Sequence, residues 1–247
     1  MPNDNDWQVS KEFAIQYESP LDRRLYCDEP LIKLLGNIAN QSILDLGCGN
    51  GGLTRILAQK AGNVVGIDSS EEMLKQARLL LSTTPRLQFQ KTSAENLPFD
   101  NNSFNKVVAC MLINTISKED TVINIFKETR RILKQNGRFF IAMAHPLTLS
   151  QKTRFRWTEW EKDQSQQTLM PGESFKRKFI GKDGKILSVT NNYWPPDVLI
   201  NFAERNKFSY DLSLEPKATQ EDLKKYPELD PILATVPLFL LMAFDVK

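Results

Sequence analysis

With 247 residues, 41% hydrophobic and 25% charged, the chain has the make-up of a globular α/β domain carrying an insertion. A formal charge of +2 gives no general attraction to nucleic acid or to an anionic membrane, and neither is expected as a partner. Three scattered cysteines and a single histidine exclude a disulfide framework or a zinc site defined by spacing, so a reduced, cytoplasmic protein without a metal is expected.

The first residues, Met1 to Asp6, lack the basic start and apolar core of a secretion signal. Residues 7–40 read as one or two helices. Trp7, Phe13, Ile15 and Tyr17 are the apolar positions of the first, and Leu31, Ile32, Leu34, Leu35 and Ile38 those of a second that begins after Pro30. Asp22, Arg23, Arg24 and Tyr26 fall between them.

Ile43-Leu44-Asp45-Leu46 is a short apolar run that breaks into Gly47, Gly49, Gly51 and Gly52 and resumes as a helix at Leu53. Glycine at such a turn lets a ligand approach the backbone and the helix N-terminus. Gly47, Gly49 and Gly52 satisfy the dinucleotide spacing, but Asp45 puts a carboxylate where a pyrophosphate would be repelled and an ammonium attracted. Asn63 to Asp68 is a second strand ending on an acid, and strand, helix, strand implies a right-handed parallel crossover. Asp68, 19 residues after Gly49, stands where a carboxylate binds ribose hydroxyls; as an alternative it caps the next helix, a duty Ser69 or Ser70 can share.

A helix over Met73 to Leu81 and a strand over Leu87 to Gln90 precede the loop Ser93-Ala94-Glu95-Asn96-Leu97-Pro98-Phe99. The fourth strand runs to Cys110 and Met111, Val122 to Leu133 forms an amphipathic helix, and Lys134 to Gly137 stops it. The fifth strand, Arg138 to Met143, leads to His145 at its carboxyl end, the ligand side of an open sheet. His145 is the candidate general base if a bound substrate must lose a proton; otherwise it orders its loop. Residues 147–195 are rich in aromatics, and Ser174 to Ile180 and Ile186 to Asn192 alternate about an Asp-Gly turn, a β-hairpin. A helix (Pro195 to Lys207), a strand (Phe208 to Pro216), an irregular acidic stretch and a last strand (Pro237 to Phe244) complete the chain. The apolar run containing that strand holds Pro237 and is too short to span a bilayer as a helix.

Asp45-Leu46-Gly47-Cys48-Gly49-Asn50-Gly51, Asp68-Ser69-Ser70-Glu71-Glu72-Met73-Leu74 and the Ser93 to Phe99 loop resemble the class I S-adenosylmethionine-dependent methyltransferases. The resemblance implies a Rossmann-like three-layer α/β sandwich. Its seven-stranded, mostly parallel sheet would have an antiparallel last strand between the fifth and sixth, with a β-hairpin lid insertion. It divides the chain into an N-terminal helical cap (1–40), a cofactor-binding core (41–146), a substrate lid (147–195) and the C-terminal part of the core (196–247).

By the same resemblance Asp45, Gly47, Cys48, Gly49 and Gly51 hold the methionine part of S-adenosylmethionine. Asp68, with Ser69 and Met73, takes the ribose side; Ser93, Ala94 and Glu95 the adenine; Cys110 and Met111 the cofactor's middle. Ser93 stands where the family has an acid that accepts from the adenine amino group, whereas the backbone contact at Ala94 needs no particular side chain. Asn105 likewise replaces an aspartate that orders the turn into the fourth strand. The methyl acceptor, a small organic molecule, would lie near Tyr17, His145, Trp157 and Tyr193, with S-adenosylhomocysteine as product and a monomer or homodimer as the assembly. A non-catalytic S-adenosylmethionine-binding protein and an NAD(P)-dependent oxidoreductase are the alternatives.

Overall fold

The computed structural model describes residues 14–15, 20–79, 86–150, 158–161, 170–180, 184 and 186–247. Its strands are β1 (Ser42–Leu46), β2 (Asn63–Asp68), β3 (Leu87–Lys91), β4 (Phe104–Cys110), β5 (Leu133–Ala144), β6 (Thr158–Glu161), β7 (Ser174–Ile180), β8 (Ile186–Asn192), β9 (Phe208–Leu214) and β10 (Phe239–Val246). Its α-helices are α1 (Leu21–Arg23), α2 (Glu29–Leu35), α3 (Gly52–Ala58), α4 (Glu71–Leu79), α5 (Glu119–Ile132), α6 (Leu147–Ser150), α7 (Pro196–Arg205) and α8 (Gln220–Lys225).

Seven strands form one sheet in the order β3-β2-β1-β4-β5-β10-β9. β1 pairs in parallel with β2 and β4, and β10 runs antiparallel to both β5 and β9. The last strand therefore lies between the fifth and the edge, as the family resemblance implies.

Strand alternation feeds two cores. Leu44, Leu46, Val107, Ala109, Phe139, Ile141 and Met242 face one side, where α5 and α7 cover them with Val122, Ile125, Phe126, Leu199 and Phe202. Ile43, Val108, Phe140, Ala142 and Leu241 face the other, under Leu31 and Leu35 of α2 and Leu53 and Leu57 of α3. Helices on both faces of a largely parallel sheet make the three-layer sandwich. A separate antiparallel sheet, β6-β7-β8, stands on the insertion. Among the described residues no helix is long and apolar enough to cross a membrane.

Several boundaries differ from those read off the sequence. α1 and α2 flank a π-helical turn, Arg24–Asp28, so Asp22, Arg23, Arg24 and Tyr26 are helical rather than a linker. Pro30 follows the π-helical turn directly, within helix that runs unbroken from Leu21 to Leu35, and so it does not mark a break. β5 begins at Leu133 immediately after α5, because Leu133 pairs with Phe104 before the register shifts. The acidic stretch after β9 contains α8, capped reciprocally by Thr219 and Asp222. The expected hairpin is β7 and β8, with β6 as a third strand beside it. The first expected helix lies outside the described residues, apart from Ala14 and Ile15.

Phe126 is the knot of the first core: its ring meets Phe139 and Phe244 edge-on at 5.4 and 6.0 Å between centroids, and it is fully buried. Phe126→Ala is expected to lower stability by about 3–5 kcal/mol, measured by urea unfolding, with Phe126→Leu costing clearly less.

Candidate functional site

The carboxyl ends of β1, β2 and β4 converge where successive connections leave the sheet in opposite directions, the place an open α/β sheet uses for ligands. The turn after β1 is held open by its own backbone. Gly51 N–H donates to Cys48 O at 3.0 Å, and Cys48 N–H to Ile67 O at 2.9 Å, tying the turn to β2. Gly49 and Gly51 have φ of +56° and +75°, a region costly for a side chain. A Cβ on Gly51 would come within 2.6 Å of the Phe89 ring, whereas one on Gly49 would find no atom within 4 Å. The turn is thus packed behind and open in front.

Asp68 ends β2 and joins that turn: its Oδ2 accepts from Gly49 N–H and its Oδ1 from Ser70 N–H, both at 2.8 Å. Burial pushes its carboxyl up, against the pull of those backbone N–H groups. Ser70 Oγ accepts from Met73 N–H at 3.3 Å and so caps the start of α4. Ser69 is exposed beside it, and Met73 is buried.

Asp45 lies on the same sheet face with 1% exposure, and its Oδ2 accepts from the Thr54 hydroxyl at 2.7 Å. Desolvation raises its carboxyl to about 7, against the lowering effects of that hydrogen bond and of Arg23. Arg23 reaches in from α1, with Nε 3.4 Å from Asp28 Oδ1 and Nη2 3.6 Å from Cys110 Sγ. Cys27 Sγ and Cys110 Sγ are 3.6 Å apart, so two cysteines distant in sequence meet in the fold. With Asp28 they form the one group, among the described residues, whose donor atoms lie close enough to share a cation. The Arg23 guanidinium already lies against that donor set, a poor setting for a metal ion.

Beyond Cys110 the chain turns sharply. Met111 adopts φ +60°, uncommon for a side-chain-bearing residue, and its N–H donates to Ala142 O at 2.7 Å. Leu112 then packs so closely on Gly47 that a Cβ there would lie 2.9 Å from its Cδ1. Asn114, absent from the sequence reading, accepts from Ala144 N–H through Oδ1 at 3.0 Å, and its carbonyl accepts from Asn192 Nδ2 at 3.3 Å. Trp194 Nε1 donates to Ile116 O at 2.7 Å. These bonds fasten the root of the β6-β7-β8 sheet to the exit of β4.

Across the crevice Ser93 and Glu95 are exposed, with Ser93 Oγ 3.4 Å from Glu95 Oε1, while Ala94 packs partly against the first core. Asn105 Oδ1 accepts from Ser42 N–H at 3.0 Å, so the amide ties the start of β4 to the start of β1.

His145 is 5% exposed. Its Nδ1 accepts from Leu147 N–H at 3.1 Å, and its Nε2, left to carry the proton, lies 3.3 Å from Glu215 Oε1. The Leu147 contact ties the ring to its own loop. Tyr193, expected beside the acceptor, is half-buried; its backbone joins Gly172 and Glu173, and burial followed by Asp197 raises its hydroxyl. Tyr17 and Trp157 lie outside the described residues.

The sheet order, the glycine turn and the acid ending β2 define a Rossmann-like ligand-binding fold. Solved structures share that fold: the CcbJ methyltransferase of Streptomyces caelestis superposes with a TM-score of 0.71 at 14% identity, covering 99% of this chain and 100% of that one. An S-adenosylmethionine-dependent methyltransferase of Mesorhizobium loti gives 0.65 at 22% identity over 88% and 96%. In sequence, residues 43–137 match the family model for a methyltransferase domain.

The ubiquinone biosynthesis O-methyltransferase of Nitrosomonas europaea is 28% identical over 55% of this chain and 56% of its own length. The demethylmenaquinone methyltransferase of Lactococcus lactis is 35% identical over 47% of each. The chain thus matches about half the length of these curated relatives. Over residues 43–137 the chain is thus similar to methyltransferase domains, and it shares its fold with solved S-adenosylmethionine-dependent methyltransferases.

Asp45 makes stability pH-dependent. With its pKa raised from 3.8 to about 7 in the fold, the folded chain keeps a proton that the unfolded chain has released. Its contribution to stability is therefore full below about pH 4 and is lost as pH rises through about 7, at no more than about 1.4 kcal/mol per pH unit. Asp45→Asn is expected to flatten the pH 4–7 part of the denaturation profile; an unchanged slope would count against the assignment.

Proposed function

We propose that the protein transfers the methyl group of S-adenosylmethionine to a small organic acceptor. The observation that carries this reading is the bond from Gly49 N–H to Asp68 Oδ2, 2.8 Å, which sets a glycine cradle and an acid side by side at the sheet's switch point. The residues fit the cofactor. Gly49 leaves room for close approach, and the Asp68 carboxylate, which accepts from the Gly49, Ser69 and Ser70 N–H groups, keeps lone-pair capacity for a ribose hydroxyl. Asp45 is a buried acid able to ionise beside the methionine ammonium, supported by Gly47, Cys48 and Gly51. Ser69 and Met73 flank the ribose, Ala94 offers its backbone N–H to the adenine with Ser93 and Glu95 around it, and Cys110 and Met111 line the middle.

When bound, S-adenosylmethionine supplies an electrophilic methyl group. The chain's own task is to align the acceptor with it and to exclude water. Residues 1–40 serve as a cap and 147–195 as a lid, with 41–146 and 196–247 as the core between them. The acceptor lies near Tyr193, together with Tyr17 and Trp157. His145, at the carboxyl end of β5, is the candidate general base if the acceptor must lose a proton; otherwise it orders its loop. Two relatives are named for quinone methylation, which puts reduced-quinone phenols first among acceptors to try.

Calorimetric titration with S-adenosylmethionine, S-adenosylhomocysteine and NADH tests the cofactor. Both adenosyl ligands are expected to bind and NADH not to, with binding lost in Asp68→Ala and Gly49→Val while circular dichroism shows both variants folded. Binding of NADH alone would overturn the reading. Adenosyl binding with no S-adenosylhomocysteine released from any phenol, carboxylate, amine or thiol acceptor would point instead to a non-catalytic binder.

A further inference from the structure

The loop that follows β3 is divided between a free half and a fastened half. Ser93 and Glu95 face solvent with Ala94 half-buried between them, and the Ser93 hydroxyl is spent on Glu95. Leu97 to Asn101, in contrast, are gripped by one turn of α5. Glu128 Oε2 accepts from Leu97 N–H at 2.9 Å. Arg131 Nη2 donates to Leu97 O at 2.8 Å, and its Nη1 to Phe99 O at 2.6 Å and Asn101 Oδ1 at 3.1 Å. The two side chains hold each other as well, through Arg131 Nε to Glu128 Oε1 at 2.9 Å and Nη2 to Oε2 at 2.7 Å. Buried Leu97, and Phe99 edge-on to Phe104 at 5.0 Å, anchor the same half from below.

A rigid, planar guanidinium that reaches two carbonyls and a side-chain oxygen fixes the backbone in position and in orientation, which a point charge such as lysine does not. Surface ion pairs contribute little to stability, so this degree of connection needs another reason. The free half supplies one. With serine in place of an acid at position 93, an adenine placed there is recognised chiefly by the backbone N–H of Ala94, and a backbone donor is only as selective as its position.

We propose that Glu128 and Arg131 are positioning residues that set the Ala94 N–H and so give the site its preference for an adenine base. This rests on the cofactor reading above. The probes are S-adenosylhomocysteine and S-inosylhomocysteine, whose base bears a carbonyl and a protonated ring nitrogen in place of the amino group and bare nitrogen. A correctly placed N–H donor accepts the first and rejects the second. The wild-type chain is expected to prefer the adenosyl ligand by at least about tenfold, the worth of one well-placed hydrogen bond against a mismatched donor pair.

In Arg131→Ala, adenosyl affinity is expected to fall about tenfold while inosyl affinity changes by less than about twofold, so the preference collapses. Arg131→Lys, which keeps the charge but loses the fork, is expected to restore only part of it, and Glu128→Gln to lose part of it. These two variants carry the test if Arg131→Ala does not fold. Equal weakening of both ligands, or an unchanged preference in all three variants, would overturn the proposal and leave the pair a purely structural clasp. Failure of the wild-type chain to bind S-adenosylhomocysteine at all would overturn the cofactor reading, and this one with it.

Discussion

The hydrogen bond between Gly49 N–H and the Asp68 carboxylate is the constraint around which the rest is arranged. It joins the turn leaving β1 to the end of β2, and it requires the backbone at Gly49 to adopt a positive φ with its N–H turned across the crevice. Everything behind it is close packed. The Phe89 ring fills the space that glycine leaves at Gly51 and Gly66, and Leu112 occupies the space at Gly47. Absent side chains therefore do two different jobs here, admitting core side chains from behind and keeping the front clear.

The same crevice gathers groups that water would otherwise solvate. Asp45, Asp68, Cys110 and the Cys27–Asp28–Arg23 cluster all sit at strand or helix ends on one side of the sheet. The site is poised because burial raises the acids while backbone and hydroxyl donors oppose that shift. A carboxylate at 1% exposure is costly, and the Thr54 hydroxyl and the Arg23 charge offset only part of that cost.

How much of this the sequence carried depended on the range of the interaction. β7 and β8 were legible to the residue because strict alternation on either side of an Asp-Gly turn is a local signal. The glycine turn and Asp68 were legible because their residue types are demanded by backbone geometry. Helical Asp22 to Tyr26 was misread, since Pro30 looks like a break unless one knows that the preceding π-helical turn leads straight into it. The meeting of Cys27 with Cys110, and of Arg131 with Leu97 and Phe99, left no trace in local pattern. Both join residues at least 32 positions apart through side chains whose usual place is a core or a solvated helix face. The place of His145 at the end of β5 was legible, whereas its neighbours Leu147 N–H and Glu215 were not.

The placement of β10 bears on how the molecule is made. β5 and β9 are neighbours of β10 and not of each other, so among the described residues β9 pairs in the sheet with β10 alone and gains that partner once Phe239–Val246 has been synthesised. During translation the half β3-β2-β1-β4-β5 can assemble first, with the hydrophobic rim of β5 left open. Insertion of a strand synthesised after both of its flanks closes that rim, so the emerging chain depends on late, long-range pairing and, until then, on protection from aggregation.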